Sequence, residues 1–266
     1  MSPFALWARS MITQARRFAR KIAPPGLVEI YGLVRRKIYD ARNLDRSPQA
    51  VFSEIYSKGL WGGQRGVFHS GTGSHTASIV EPYVGLVSRV LADMPAGQRR
   101  VVDLGCGDFQ IGRHVLASCD SYSGVDVVPQ LVQHLQSQYS GPNVKFRCLD
   151  IVDDDLPDGD VCLVRQVLQH LSNEQVSKVL SKLNQYKIVL ITEHVPSHSK
   201  MNAPNVDKVH GGGIRLASGS GLYVERPPFS FAPDQMQVVL ELPGHQVGVA
   251  DAGLIRTQKF DLRPDA

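Results

Sequence analysis

The sequence lacks long apolar runs: none approaches the length of about 18 residues that a membrane-spanning helix requires. Its four cysteines include no CxxC pair, which argues against a zinc site or a disulfide framework. Three of the four lie in or beside apolar, strand-like runs, so we expect buried thiols in a reducing compartment. The cysteines are Cys106, Cys119, Cys148 and Cys162.

Positive charge is concentrated at the start of the chain and is scarce elsewhere. The net charge is +4, yet residues 1–46 hold ten Lys and Arg against three acidic residues. That segment therefore carries +7, and the remaining residues carry −3. Because a nucleic-acid-binding body usually has a basic face, we expect no nucleic acid partner.

Residues 1–48 are predicted to form a basic helical extension, and residues 49–266 the main domain. Residues 3–22 place apolar side chains at spacings of three and four, with Arg and Lys largely on the other side. Such a helix can lie on an anionic membrane surface or pack against protein, and both interpretations stay open. No uninterrupted apolar stretch follows the charges, which argues against a secretory signal, whereas a mitochondrial presequence stays open.

Strands and helices alternate along the main domain. Asp45–Pro48 is predicted to be the linker that joins this domain to the extension. This alternation, with short connections, predicts a parallel, doubly wound α/β sheet. The predicted strands are Arg100–Leu104, Ser121–Val127, Val144–Leu149, Val161–Arg165 and Lys187–Thr192. The predicted helices are His75–Met94, Phe109–Ala117, Pro129–Gln138 and Asn173–Asn184.

The alternation stops after Thr192. Residues 194–234 are rich in Gly, Pro, Ser and His and are too long for an ordinary connection, so we expect a lid or a substrate-binding loop. Two strand-like runs, Gln237–Leu242 and Leu254–Leu262, follow with no room for a crossover helix. We therefore predict one antiparallel strand near the C-terminus of an otherwise parallel sheet.

The most informative segment runs from Val101 to Asp108. An apolar strand leads into an acid and two glycines, which is typical of a buried strand that turns sharply into a helix. Dinucleotide-binding sequences have a third glycine, where this chain has Gln110. Asp126 ends the next strand at the distance expected for an acid that binds ribose, and a helix cap is the alternative interpretation.

Two more acids lie at strand ends. Asp103 can orient the glycine turn and approach the ammonium group of a ligand. Asp150 can accept a hydrogen bond from an adenine amino group, with Ile151 against the ring face. Acids are common at strand ends, so Asp150 alone is a weak indication.

Taken together, these residues resemble the class I S-adenosylmethionine-dependent methyltransferases. The resemblance rests on Asp103-Leu104-Gly105-Cys106-Gly107, Asp126, Asp150-Ile151 and the terminal strand pair, and it covers residues 52–262. It implies a seven-stranded, mostly parallel sheet with one antiparallel strand, and S-adenosylmethionine as the cofactor. It also assigns Gly105 and Gly107 to the methionine moiety, Asp126 to the ribose and Asp150 to the adenine.

Other segments are similar to bacterial methyltransferases associated with glycan biosynthesis. They are Ile55-Tyr56, Trp61-Gly62, Ser70–Ser74, Val164–Leu171 and Pro228–Phe231. This resemblance implies a saccharide or another small hydroxylated acceptor. In that family Arg-Asp-Val-Leu-x-His-Leu commonly follows the fourth strand, and here Gln166 replaces the acid. Ile214 and Arg215 stand where the family has a Trp-Arg pair, so we expect the acceptor to differ.

Methyl transfer to an alcohol needs alignment of the reactants and removal of a proton. His170, which follows the fourth strand, is the first candidate for the base, and a histidine that packs or caps a helix is the alternative. His194, beside Glu193 at the end of the fifth strand, is the second candidate. His198 and His210 lie in the long loop, where we expect them to face solvent or the acceptor.

The run from Ser70 to Ser74 precedes a helix. Its amides and hydroxyls can hold the cofactor carboxylate, and a plain helix-capping loop is the alternative. We assign Ser70, Ser74 and Arg165 to cofactor binding. Tyr56 and Trp61 can cover the cofactor, support a sugar face or pack in the core.

No metal ion is expected at the site. Pro196 stands between His194 and His198 and argues against a helical ligand pair. The acidic run Asp153–Asp155 has the character of a solvated loop.

Two other functions stay open. An NAD-dependent oxidoreductase is disfavoured by Gln110 and by the terminal strand pair. A non-catalytic module that binds the cofactor could recruit a partner through its basic helix. We expect a cytoplasmic protein with a small-molecule or glycan acceptor, and peripheral contact with the inner membrane face through residues 3–22 stays an option.

Overall fold

The computed structural model describes residues 38–63, 67–197, 201–244 and 252–262. The chain divides into two compact units, Met1–Asp45 and Arg46–Ala266. The predicted helix over residues 3–22 lies outside the described residues, and so does His198. No helix in the described part of the chain is long and apolar enough to cross a membrane.

Seven strands form one sheet in the second unit. They are β1 Arg100–Leu104, β2 Ser121–Asp126, β3 Val144–Cys148, β4 Val161–Arg165, β5 Ile188–Val195, β6 Met236–Pro243 and β7 Leu254–Asp261. The order across the sheet is β3-β2-β1-β4-β5-β7-β6, and β7 runs antiparallel to both of its neighbours. The predicted doubly wound α/β sheet with one antiparallel C-terminal strand is therefore confirmed.

The central strands are buried on both faces, which explains their continuous apolar runs. Side chains along β1 alternate between two cores: Val102 and Leu104 pack in one, and Val101 packs in the other. β4 alternates in the same way, with Val164 in the first core and Leu163 in the second. This two-sided packing holds the carboxyl ends of the parallel strands at a common edge.

Five α-helices accompany the sheet among the described residues of the second unit. They are α1 Pro48–Ser57, α2 Ala77–Ala92, α3 Gly112–Val115, α4 Pro129–Tyr139 and α5 Asn173–Lys182. The interpretation of Asp45–Pro48 as a linker overlooked α1, which begins at Pro48. Its start is marked in the sequence, because the Ser47 hydroxyl accepts from the Ala50 N–H at 3.3 Å and proline suits the first helical position.

Two predicted boundaries were wrong for physical reasons. The helix predicted over Phe109–Ala117 is reduced to α3 and a 3₁₀ turn, Leu116–Ser118, and Phe109 itself has a φ of 62°, outside the helical region. β5 continues three residues beyond Thr192, because β7 pairs with it along its whole length. Glu193 and His194 consequently lie within a strand.

Candidate active site

A cavity of about 260 Å³ lies at the carboxyl ends of the parallel strands, where open α/β sheets bind ligands. All eleven predicted site residues line it, although they come from six separate parts of the chain. They are Ser70, Ser74, Asp103, Gly105, Gly107, Asp126, Asp150, Ile151, Arg165, His170 and His194. The structure brings them together, and the role of each stays a prediction.

The glycine turn is built from backbone contacts that a side chain would obstruct. The N–H groups of Gly105 and Cys106 donate to the Val125 carbonyl at 2.8 and 2.9 Å, which ties the turn to the end of β2. Gly107 has a φ of 56°, and a Cβ there would lie 2.2 Å from the Ser70 Oγ. Glycine is therefore required both by the backbone conformation and by the neighbouring segment.

Asp126 joins the glycine turn to the start of α4. Its carboxylate accepts from the Gly107 N–H at 3.2 Å and from the Val128 N–H at 3.1 Å. Burial raises the pKa of Asp126 to about 6, although these two bonds favour the ionised form. Each carboxylate oxygen accepts one of the bonds and keeps a lone pair, so Asp126 can also accept from a bound ligand.

A buried aspartate, Asp103, and a buried arginine, Arg165, lie near each other toward the ends of β1 and β4. Tyr122 donates its hydroxyl proton to Asp103 at 2.6 Å, and burial raises the pKa of Asp103 to about 6 while the positive charge of Arg165 lowers it. The Arg165 guanidinium donates to the Gly73 carbonyl at 2.7 Å and to the Ser74 hydroxyl at 3.3 Å. Its Nε is buried with no hydrogen-bond partner among the described residues.

The segment after β3 is held by a lysine that the sequence analysis overlooked. Lys182, at the end of α5, donates to the carbonyls of Ile151, Val152 and Asp154 at 3.2, 2.8 and 2.7 Å. The Asp154 carboxylate in turn accepts from the Asp150 N–H at 2.8 Å. The acidic run is thus not simply a solvated loop, because Asp154 shapes the segment that carries Asp150.

The Ser70–Ser74 segment is fastened to the glycine turn. Ser70 accepts from the Asp108 N–H at 2.7 Å, and the Tyr56 hydroxyl lies 2.9 Å from the same oxygen. The Asp108 carboxylate accepts from the Ser70 N–H at 3.0 Å and lies 2.7 Å from the His75 Nε2. Asp108 does not itself line the cavity, but it fastens a segment that does, and sequence reasoning assigned it no role although it directly follows Gly107.

His170 lies among aromatic rings on another wall of the cavity. Its ring centroid is 5.1 Å from that of Trp61 and 6.3 Å from that of Phe52. Its Nδ1 lies 3.1 Å from the Gly211 carbonyl, which selects the tautomer with a proton on Nδ1. Burial, with the nearby charge of Lys208, lowers the pKa of His170 to about 3, so the ring is neutral at neutral pH.

His194 and Glu193 do not form a functional pair. The His194 Nε2 lies 2.5 Å from the Ala252 carbonyl, while the Glu193 carboxylate accepts from the N–H groups of Leu168 and Gln169 at 3.0 and 3.2 Å. Successive residues of a strand point to opposite faces. Only His194 lines the cavity.

The expectation for His210 was wrong. This side chain is buried and does not line the cavity, and its Nδ1 lies 3.3 Å from the Gln175 Nε2. In the described part of the chain, no group of three or more His, Cys, Asp or Glu side chains could hold a metal ion.

Comparisons with known proteins agree with the fold and the glycine turn. Residues 101–186 match the family model described as a methyltransferase domain. The chain is similar to a SAM-dependent methyltransferase from Anabaena variabilis, with a TM-score of 0.51, 12% identity and coverage of 82% of this chain and 96% of that one. No curated protein matches the chain.

The chain is also similar to the N-methyltransferase NodS from Bradyrhizobium japonicum in complex with S-adenosyl-L-homocysteine. That match has a TM-score of 0.46 and 11% identity, and it covers 69% of this chain and 87% of that one. The predicted activity class and its cofactor, S-adenosylmethionine, are confirmed by the family match at β1 to β4 and the sheet topology. The resemblance to glycan-biosynthesis enzymes is not tested by these comparisons.

Proposed function

We propose that this S-adenosylmethionine-dependent methyltransferase methylates a hydroxyl group of a small, uncharged acceptor, such as a saccharide. The observation that carries the proposal is the chemistry of one wall of the cavity, which we call the acceptor wall. It consists of Phe52, Trp61, Gln169, His170, His194, Gly212 and Ile214. This group holds aromatic rings and neutral polar side chains and contains no Asp, Glu, Lys or Arg.

Because the residues of this wall carry no formal charge, they favour a neutral acceptor. A cationic amine is usually bound beside a carboxylate, and a carboxylate acceptor beside arginine or lysine. Trp61 and Phe52 offer flat apolar faces to the C–H face of a sugar, while Gln169 and His170 can exchange hydrogen bonds with its hydroxyls. A neutral hydroxylated compound fits this wall best.

The opposite side of the cavity fits the cofactor. Asp126 would accept from the ribose hydroxyls with the lone pairs that its two backbone bonds leave open. The unpartnered Nε of Arg165 supports binding of the carboxylate at that end, and Asp103 supports binding of the ammonium group. Asp150 and the buried Ile151 would hold the adenine.

When bound, the cofactor supplies an electrophilic methyl group on a sulfonium sulfur. The acceptor oxygen would receive this methyl group, the sulfur would keep the electron pair of its former bond to carbon, and the hydroxyl proton would have to leave. With a proton on its Nδ1, His170 keeps a lone pair on Nε2, which lies 3.5 Å from the Gln169 Nε2 and would exchange that contact for the acceptor hydroxyl. A ring with a pKa of about 3 is a weak base, so we expect it to orient the alcohol first and to accept the proton only as the oxygen becomes positively charged.

Incubation with labelled cofactor tests the proposal. The wild-type protein, mixed with fractionated glycan and lipid extracts, is expected to transfer label to a hydroxyl group that mass spectrometry and NMR can identify. The matched control is Asp126→Ala, which should transfer none. Label on an amine or carboxylate would contradict the acceptor class, and cofactor binding without transfer to any fraction would favour a non-catalytic module.

We also propose that the extension, residues 1–48, touches an anionic membrane through residues 3–22. The surplus of seven positive charges in residues 1–46 supports this contact. The full chain is expected to sediment with phosphatidylglycerol vesicles at low salt, and a chain that lacks residues 3–22 is expected to stay in the supernatant. Equal sedimentation of the two would contradict the proposal.

A further inference from the structure

The 3₁₀ turn Leu168–His170, which follows β4, carries two side chains of the acceptor wall and lies between two buried ionisable groups, one acidic and one basic. Glu193 on β5 is 3% exposed, and Arg215 in the long segment after β5 is 1% exposed. Neither lines the cavity. Burying an ionised group is costly unless it is paired or fully hydrogen-bonded, so the contacts of these two residues need an explanation.

Glu193 binds the N–H side of the turn. Its Oε1 accepts from the Leu168 N–H at 3.0 Å, and its Oε2 accepts from the Gln169 N–H at 3.2 Å. Both carboxylate oxygens are therefore used on consecutive amides. This arrangement fixes the peptide planes at the beginning of the turn.

Arg215 binds the carbonyl side of the same turn. Its Nη1 donates to the Gln169 carbonyl at 3.1 Å, and its Nη2 donates to the Leu171 carbonyl at 2.9 Å. The same guanidinium donates to the Val206 carbonyl at 2.9 Å and to the Asn173 side chain at 2.8 Å. The planar group thus joins the turn to the long segment, and a lysine could not make this set of bonds.

The two side chains act on one chain of peptide groups. The turn directs N–H groups toward the carboxyl oxygens of Glu193 and carbonyl oxygens toward the positive guanidinium of Arg215, so each side chain stabilises the orientation that the other requires. Burial raises the pKa of Glu193 to about 8, although its two backbone bonds and the charge of Arg215 favour the ionised form. Three segments distant in sequence are locked together at this point.

The locked turn determines where His170 and Gln169 lie. The His170 carbonyl accepts from the Gly211 N–H at 2.8 Å, and its ring bonds the Gly211 carbonyl. The Gln169 Oε1 accepts from the His194 N–H at 3.2 Å. A small rotation of the turn would break these contacts and move the ring away from the acceptor.

We propose that Glu193 and Arg215 are positioning residues, which hold the turn so that His170 presents its Nε2 to the acceptor hydroxyl. The inference rests on the proposed function, because it assigns these residues to the same transfer. Arg215 does not line the cavity, and it would act on the acceptor through the backbone of the turn.

The test uses the full chain with Arg215→Lys and Glu193→Gln, each of which removes part of the bonding while nearly preserving size. The matched controls are Arg226→Lys and Glu174→Gln, whose wild-type side chains are 45% and 81% exposed. Calorimetry gives the cofactor Kd, steady-state assays give kcat and the acceptor KM, and ¹⁵N NMR of labelled histidine gives the tautomer of His170. The His170→Gln spectrum assigns the signal.

We expect kcat to fall about 10- to 100-fold in both variants, because a misplaced catalytic group commonly costs that much. The cofactor Kd should stay within about twofold of wild type, because the contacts of Asp126 are untouched. The His170 ring should lose its single Nδ1–H tautomer in both variants and keep it in both controls. If Arg215→Lys fails to fold, Glu193→Gln decides alone. Wild-type kcat with an unchanged tautomer would overturn the inference, and so would a cofactor Kd that weakens in step with kcat.

The experiment separates this inference from the proposed function. If the wild-type protein transfers no methyl group to any hydroxyl, the proposed function fails, and the tautomer of His170 in the variants still reports whether the two residues position it. A tautomer that depends on both residues would then support the geometry without the reaction. An unchanged tautomer would overturn the positioning role in either case.

Discussion

Ser70 and Asp108 exchange two hydrogen bonds although 38 residues separate them. The Asp108 N–H donates to the Ser70 hydroxyl at 2.7 Å, and the Ser70 N–H donates to the Asp108 carboxylate at 3.0 Å. The segment that begins at Ser70 continues to Gly73, whose carbonyl accepts from Arg165 on β4. It therefore bridges β1 and β4 over the cavity, and a cofactor must pass beside it.

Asp108→Ala is expected to weaken cofactor binding by loosening this bridge. The change removes the bonds to the Ser70 N–H and to His75, and a bond to a charged group contributes about 1.5–3 kcal/mol, which corresponds to at least about a tenfold effect. Stopped-flow measurements should show the increase mainly in the dissociation rate. Asp153→Ala, at an exposed carboxylate, is the control, and an unchanged rate in Asp108→Ala would contradict a closing role for the bridge.

Gly107→Ala is expected to damage the site more than Gly97→Ala. Both glycines have positive φ, 56° and 84°, so both substitutions introduce backbone strain. Only the Cβ at Gly107 meets another group, the Ser70 Oγ, whereas the Cβ at Gly97 meets nothing within 4 Å. We expect Gly107→Ala to lower the free energy of unfolding by about 2 kcal/mol more than Gly97→Ala and to weaken cofactor binding. Equal effects in calorimetry and thermal unfolding would refute this account of the turn.

Asp126→Ala is expected to abolish measurable cofactor binding. It removes the proposed hydrogen-bond acceptor for the ribose and also leaves the N–H groups of Gly107 and Val128 without this partner. Asp126→Asn retains the shape of the side chain, and we expect it to bind about 100-fold more weakly than wild type, from lost charge-assisted bonds. Titration calorimetry checks both variants, and wild-type affinity in either would contradict the assignment to ribose.

Cofactor affinity is expected to fall with acidification below about pH 6. Burial raises the pKa of Asp126 and that of Asp103 to about 6, and the protonated acids lose negative charge that the ligand requires. The folded-state pKa lies above the ordinary value of 3.8, so the folded protein binds more protons than the unfolded chain between about pH 4 and 6. Stability from these two groups therefore decreases as pH rises through that range.

Binding and unfolding measured from pH 4 to 8 test both statements. In Asp126→Asn, the part of the pH dependence that belongs to this residue should vanish. A cofactor Kd that stays constant from pH 5 to 8 in the wild-type protein would show that neither acid titrates in this range.

Trp61→Ala is expected to raise the acceptor KM at least about tenfold and to leave the cofactor Kd within about twofold, because a buried aromatic contact contributes on the order of 2 kcal/mol. Trp61 packs against His170 and Tyr56, so Trp61→Phe should restore much of the affinity. Steady-state kinetics with the identified acceptor provide the measurement. A change confined to the cofactor Kd would instead assign Trp61 to the cofactor.

Much of the sheet could be predicted because each strand is a short apolar run that can be recognised from its own residues. The first four residues of β4, 161–164, are apolar because both faces of the strand are covered, and the pattern is visible in the residues themselves. The helix α1 was missed because the sequence around Pro48 was interpreted as a linker, although serine followed by proline is also typical of a helix start. The C-terminal end of β5 was missed because its length depends on pairing with β7, a strand 59 residues further along the chain.

The sequence by itself determined the cofactor half of the cavity, because the glycine turn and Asp126 follow directly from short strand-turn-helix units whose geometry is local. Only the tertiary structure decided the acceptor half. The bonds of Glu193 and Arg215 to the turn that carries Gln169 and His170 span 25 and 46 residues, and no local pattern records a partner that distant. Burial, which lowers the pKa of His170 and raises that of Glu193, likewise arises only when these segments pack together.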